Sequence, residues 1–503
     1  MADHPNVPPL TPRFEAGDVN EEAAARLGEA MTEAAASLPP SPRFEVLHGS
    51  TETYGPRTDG TAPETDPHDA WVTRFELAGE GPGILDDLTF GLKDSIAVAG
   101  YPCTLGSELL ADFVPSVDAT VVGRLLDAGG TVVGKNSMDA FAMGDAGEFG
   151  EFGTTTNPHD ETRLAGGSSS GSAAAVAAGE CDAALGTDQA GSVRNPAAWC
   201  GLVGLKPTHG AVPYTAVAGM DPSFDHVGIL TRDVDTNARV LTAIAGTDIQ
   251  DGCRMDPRQP TDYDGFSSPS TARADPSSIT IGVLTEGFDW PFLEDAVADS
   301  VRRTLDALEA TGASLVDVSV PLHERSLELV GTLAGIGATE TVRSDGVSRG
   351  TGGWHWAELA ETLGERRRAT PAELSPAVRA SMRGSTAVEA SEHRAAYARA
   401  KNSVLAAGRA YDRALSDCDV LALPTAPTRA LEPADSVAER VERLGWLPAN
   451  TGLFNQTGHP ALSVPAVSQG DLPVGIQFVA SPFAERTLYR VGRLVEDLDP
   501  AAV

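Results

Sequence analysis

Apolar and polar positions divide this chain unevenly. Residues 21–38 are Ala/Glu-rich with apolar residues near helical spacing and stop at Pro39-Pro40, which predicts one helix. Residues 41–80 are polar and broken by Pro and Gly, so 1–80 reads as an N-terminal helical cap or oligomerisation segment. From about residue 84 short apolar runs alternate with helical patterns. Runs at 88–92 and 95–98 read as strands around Lys93, 118–128 as a helix with an Asp start and a Gly stop, and 131–133 as a strand. An Ala-rich helix is expected at 172–178, with buried strands at 183–186 and 202–205. This alternation implies an α/β fold with a largely parallel sheet covered by helices.

Residues 266–278, rich in Ser, Pro, Ala and Asp, read as a linker. Beyond them, strands at 279–284 and 314–320 flank a helix at 293–311, and residues 321–415 look almost wholly helical. Strands return at 420–423, 461–464 and 474–480, and a helix at 485–498 follows. Residues 81–503 are expected to form one domain in which 321–445 is a mainly helical layer on the substrate side. No internal repeat is found.

Composition adds two constraints. Of 503 residues 41% are hydrophobic, enough for a globular core, and the formal net charge of −34 describes an acidic, strongly hydrated surface suited to concentrated salt. That charge argues against nucleic-acid phosphates as a partner at low salt. The five cysteines are scattered and odd in number, with no CxxC, which suggests neither a disulfide framework nor a zinc site. The N-terminus has no basic start and no apolar stretch of a leader, and no run approaches the roughly 18 apolar residues of a membrane span. These features point to the cytoplasm.

The second constraint is lysine. Three of the four lysines, Lys93, Lys135 and Lys206, lie in the stretch that also holds two Gly/Ser clusters, in a chain with 33 arginines. Arg stays protonated at any workable pH, whereas a buried Lys can lose its proton and act as a base. Ser192 sits where the run 183–187 turns toward a helix starting near Val193, and small residues before it let successive N–H groups converge as an anion-binding nest. Ser168 lies in a glycine-rich loop, and Lys93 in an apolar surround that would lower its pKa. Two serines and a lysine form a chemically complete set for amide cleavage.

Gly166-Gly167-Ser168-Ser169-Ser170-Gly171-Ser172-Ala173-Ala174, the run from Gly186 through Asp188-Gln189-Ala190-Gly191-Ser192 to Gly201, and Gly204-Leu205-Lys206-Pro207-Thr208 together resemble the signature of the amidase signature family. Lys93-Asp94, Gly134-Lys135-Asn136, Asp139-x-Phe141-Ala142-Met143-Gly144, Val212-Pro213-Tyr214, Asp225-His226-Val227-Gly228 and Thr457-Gly458-His459-Pro460-Ala461 extend the resemblance over about 85–485. It implies a mixed sheet of many strands between helical layers. It implies that Ser192 is the acylated nucleophile, that Ser168, after a cis peptide, relays protons, and that neutral Lys93 is the base. The N–H groups of Gln189, Ala190, Gly191 and Ser192 would form the oxyanion hole.

Two positions depart from the family, Ser170-Gly171 for Gly-Gly and Ala190-Gly191-Ser192 for Gly-Gly-Ser. Were position 190 held at positive φ, Ala would cost about 1 kcal/mol there. Asp-Gln at 188–189, with the Val-Pro-Tyr and Thr-Gly-His-Pro-Ala segments, is similar to bacterial amidases of small aliphatic and aromatic amides, whereas the segment 136–144 is similar to the A subunit of the tRNA-dependent amidotransferases. Because Gln189 adjoins the nucleophile, the reading adopted is a free-standing amidase that hydrolyses a carboxylic acid amide to acid and ammonia. Its partner would be a small-molecule amide alone, without nucleic acid or membrane, and the N-terminal helix could mediate a homodimer. The alternative is the amidotransferase's A subunit, which is a glutaminase dependent on partner proteins.

Other readings are weaker. Gly167-x-Ser169-x-Gly171 matches a nucleophile elbow with His459 as base, but 161–165 is too short and polar for the strand that motif requires. Gly129 to Lys135 lacks the Ser/Thr of a phosphate loop. Asp188 and Arg194 should pair to hold the nucleophile turn, Lys135 and Lys206 should pack or form ion pairs near the site, Asp118 and Asp139 should cap helices, and His226 and His459 should be structural. No cofactor or metal is implied.

Overall fold

The computed structural model describes residues 29–33, 36, 57, 60–79, 81–251, 275–347, 352–370, 373–391, 393, 395–467, 470 and 472–498. The chain divides into two compact units, Met1–Phe44 and Glu45–Val503. In the first, 29–33 and 36 are helical and exposed, within the helix expected at 21–38. The rest of that helix, Cys253 and positions 266–274 of the expected linker lie outside the described residues.

Among the described residues the second unit contains thirteen strands: β1 (Trp71–Ala78), β2 (Thr89–Lys93), β3 (Thr131–Asn136), β4 (Thr156–Asn157), β5 (Asp160–Leu164), β6 (Ala183–Asp188), β7 (Val203–Lys206), β8 (His226–Thr231), β9 (Thr280–Leu284), β10 (Ser314–Val318), β11 (Val420–Pro424), β12 (Ala461–Pro465) and β13 (Gly475–Val479). Eleven form one sheet in the order β1-β3-β2-β6-β8-β7-β12-β13-β11-β9-β10, and β4 and β5 form a separate hairpin. The large mixed sheet flanked by helices is the α/β architecture the resemblance implied. Its parallel pairs lie in two blocks, β3-β2-β6 and β11-β9-β10, on either side of an antiparallel centre. The centre is antiparallel from β6 through β8, β7, β12 and β13 to β11, so the sheet is mixed rather than largely parallel as the alternation of runs suggested. All six β8 residues are buried, so β8 lacks the period-2 alternation that marks a strand in sequence.

Two local expectations are corrected. Residues 95–98 do not form a strand: Ile96 N–H bonds back to Lys93 O, Ala97 N–H bonds to Ala216 O, and Ile96 makes only an isolated bridge with Val217. The polar stretch before residue 80 contains β1, whose buried and more exposed positions alternate with Arg74 and Glu76 off the core face. β5, containing Glu161 to Leu164, is half of the small hairpin rather than a central strand, which removes the scaffold of a nucleophile elbow.

Three features of the fold position the site. β2 and β6 run parallel side by side, with Leu92 opposite Leu185, so Lys93 and Thr187 emerge at the same strand ends. The Ala-rich helix Ser170–Ala177 is buried along almost its whole length beneath the serine loop. Gly186 permits that loop to close on the sheet, since a Cβ there would lie 2.6 Å from Ser169 Oγ and 2.9 Å from Val193 Cγ2. Above the strand ends, the helix Ser326–Arg343 presents Leu327, Val330, Gly331, Ala334 and Gly335, spaced as one helical face, to the cavity.

Candidate active site

Lys93 is fully buried, and its Nζ donates to Ser168 Oγ at 2.7 Å and to Thr187 Oγ1 at 2.9 Å, with Thr187 O at 3.3 Å. Burial pulls its ammonium down to about 7, against the opposing charges of Asp139, Asp188, Asp145 and Asp225. A lysine in this state is available as a neutral base near neutrality. The Gly167–Ser168 peptide is cis. Ser192 lines the cavity faced by the helix Ser326–Arg343, and its carbonyl accepts the Ser169 N–H at 3.2 Å, which ties the serine loop to the nucleophile turn.

That turn is built by Asp188 and Arg194. The guanidinium grips the carboxylate through Nε at 3.0 Å and Nη2 at 2.9 Å, both side chains fully buried, and continues to Asn455 Oδ1, Gln477 Oε1 and Thr451 O. Burial alone would raise the Asp188 carboxyl. The charge and hydrogen bonds of Arg194, with Asn455 and Lys206, hold it below the usual carboxylate range. Asp188 also accepts Gly191 N–H at 2.8 Å and Val193 N–H at 3.2 Å, fixing the start of the helix Arg194–Cys200. The positive φ lies at Gly191, at 133°, and not at Ala190, so Ala190 carries no left-handed strain. A Cβ on Gly191 would lie 2.3 Å from Thr451 Oγ1. Of the four amides the resemblance assigns to an oxyanion hole, that of Gly191 is engaged by Asp188.

Other assignments find their places. Lys135 pairs with Asp94 at 3.0 Å, and Lys206 bonds Pro207 O and His226 Nε2, away from the cavity. His226 and His459 do not line the cavity around Ser192; His459 contacts Thr457 Oγ1 and Asp412. Ser169 Oγ donates to Thr187 O. Asp118 is not a helix cap, since Ala119 precedes the helix Thr120–Asp127, and Asp139 stands at the N-cap of the one-turn helix Ala140–Ala142 without a side-chain bond to it. Asp118 accepts from Ala99 N–H and Arg57, and Asp139 from the Gly147 and Phe149 N–H groups, shaping the loop that reaches the site. Thr187 and Asp145, unassigned in the sequence, both belong to this centre: Thr187 inside the quoted motif as a second partner of Lys93, Asp145 on the cavity wall. The cavity encloses about 720 Å³ of empty space, its open mouth included, and is mainly apolar, with Met143, Met220 and Leu444 among its walls. Among the described residues no helix is long and apolar enough to cross a membrane, and no group of three or more His, Cys, Asp or Glu is placed to hold a metal ion.

A large mixed sheet with a buried lysine, a cis-linked serine and a second serine on a Gly-containing turn defines an amide-bond enzyme. The chain belongs to the Amidase family, whose model matches residues 69–489. It is 39% identical over 431 residues to the glutamyl-tRNA(Gln) amidotransferase A subunit of Halobacterium salinarum, covering 85% of this chain and 99% of that one. It is also 39% identical to the A subunit of the same enzyme from Natronomonas pharaonis, over 84% and 99% of the two chains. The crystal structure of the corresponding A subunit from Thermotoga maritima superposes with a TM-score of 0.70 at 28% identity, over 96% of this chain and 93% of that one.

These relatives overturn the expectation of a free-standing amidase whose partner is a small-molecule amide alone, without nucleic acid. The weight placed on Gln189 explains the error. Gln189 lines the cavity with its side-chain amide tied to the Tyr214 hydroxyl at 3.0 Å, and Ala142, Met143 and Gly144, from the segment resembling the amidotransferase, form wall of the same cavity.

Proposed function

We propose that this protein is a glutaminase subunit of a tRNA-dependent amidotransferase, which releases ammonia from the side-chain amide of glutamine for transfer to glutamyl-tRNA by an assembly with further subunits. The identity spanning 99% of the Halobacterium protein carries this reading. In it, neutral Lys93 takes the proton of Ser168 as Ser168 takes that of Ser192, and Ser192 Oγ attacks the amide carbon. The backbone N–H groups of Gln189, Ala190 and Ser192 stabilise the oxyanion, while that of Gly191 stays on the Asp188 carboxylate. The C–N bond then breaks as Ser168 returns a proton to the nitrogen, ammonia departs, and water hydrolyses the γ-glutamyl ester by the reverse relay. The reading places the protein in the cytoplasm, with aminoacylated tRNA. A net charge of −34 supports work in concentrated salt, where the repulsion that counts against tRNA phosphates is screened.

The test is to purify the full chain with the chains that copurify with it and supply glutamine and glutamyl-tRNA in molar salt. Glutamine-dependent amidation of the tRNA-bound glutamate is expected. Ammonia release that neither needs partners nor yields amidated tRNA would refute the reading.

A further inference from the structure

The cavity wall contains one group that the amide-cleaving relay leaves unused. Asp145 lies between the one-turn helix Ala140–Ala142 and the serine loop, and its backbone carbonyl accepts the Gly167 N–H at 3.0 Å, next to the cis peptide of Ser168. Asp145 is 9% exposed and lines the cavity that Gln189 and Ser192 also line. Among the described residues no hydrogen bond or ion pair reaches this carboxyl group. It is also the one ionisable side chain among the described residues lining the cavity. A carboxyl group desolvated to this degree is costly unless something completes it.

We propose that Asp145 is a specificity-determining residue that binds an alkylammonium group on the acyl side of the amide substrate, while the described residues lining the cavity supply no cation for a carboxylate. The inference rests on the glutaminase reading for the identity of that cation, the α-ammonium of glutamine, but not for the existence of the subsite. Burial, with the charges of Asp139 and Asp188, pushes the empty Asp145 up to about 8 against the pull of Lys93. An arriving ammonium group reverses that balance and makes the ionised carboxylate the stable form. The apolar walls suit the methylene chain between ammonium and amide, and the α-carboxylate of glutamine is left to the open mouth.

The structure therefore ranks amides by their charge. 4-Aminobutanamide, which is glutamine without its carboxylate, should be a good substrate, whereas glutaramic acid, glutamine without its ammonium, and butanamide, without either, should be poor. The test measures kcat/KM for ammonia release from these amides on the full chain with its copurifying chains, in wild type and in Asp145→Asn and Asp145→Glu. Wild type should favour 4-aminobutanamide over butanamide by roughly ten- to hundredfold, the worth of one charge-assisted hydrogen bond. Asp145→Asn should bring that ratio close to unity, and Asp145→Glu should restore part of it. Butylammonium chloride should inhibit wild type competitively, which reads the subsite without any substitution. A ratio unmoved by Asp145→Asn, or absence of inhibition by butylammonium, overturns the proposal. Preference for 4-aminobutanamide that depends on Asp145, together with failure to use glutamine, supports the subsite and refutes the glutaminase reading.

Discussion

At the scale of single residues the chemistry depends on Lys93 being able to lose its charge. Its pKa of about 7 comes from burial, and the acceptors around its amine are the Ser168 and Thr187 oxygens rather than a carboxylate. The base must be neutral to act, so kcat/KM should rise with pH through about 7 and level off above it. A steady-state pH profile at constant ionic strength checks this, and a flat profile across that range would contradict it. Lys93→Arg should be as inactive as Lys93→Ala, because a permanent cation cannot accept a proton. The candidate base and both serines were legible in the sequence, because scarcity of lysine and the Gly/Ser clusters mark them. Asp145 was not legible, because its significance lies in what surrounds it: a carboxyl group is ordinary in an acidic chain until the fold desolvates it on a cavity wall.

At the scale of elements, the turn from β6 to the helix Arg194–Cys200 is held by one buried ion pair and one glycine. Removing the guanidinium leaves the Asp188 carboxylate buried without its cation. Arg194→Met should therefore destabilise the protein by about 3–5 kcal/mol in urea unfolding at fixed salt; a loss below about 1 kcal/mol would show that the pair does not pin the turn. Gly191→Ala should impair activity severely, since the new methyl would strike Thr451 Oγ1 at a position with φ of 133°. Ala190→Gly should change little, and steady-state rates of the two variants separate these expectations. Most strands and helices were readable from apolar runs and their punctuation. β8 escaped because a strand buried on both faces shows no alternation, and β1 because its polar positions merged with the broken stretch before it. The segment 95–98 looked like a strand for the opposite reason: apolar residues there fill the core from a turn.

At the scale of the whole molecule, a net charge of −34 on one chain makes self-repulsion a global term in stability. Melting temperature should climb as potassium chloride is raised from about 0.2 M to about 3 M, most steeply at the low end, where the Debye length falls fastest. A melting temperature independent of salt would assign the acidity to solubility alone. Family membership was readable from short motifs, but the kind of amide enzyme was not. Gln189, adjacent to the nucleophile, looked decisive, yet its side chain is occupied by Tyr214, and it is likeness along the whole chain that points to the amidotransferase. The account stands most directly on one covalent bond. Full-length protein quenched in acid during turnover of glutamine and digested should carry a γ-glutamyl group on the peptide containing Ser192, and Lys93→Arg should carry none. A modified peptide elsewhere, or equal modification of Ser192 in Lys93→Arg, would contradict it.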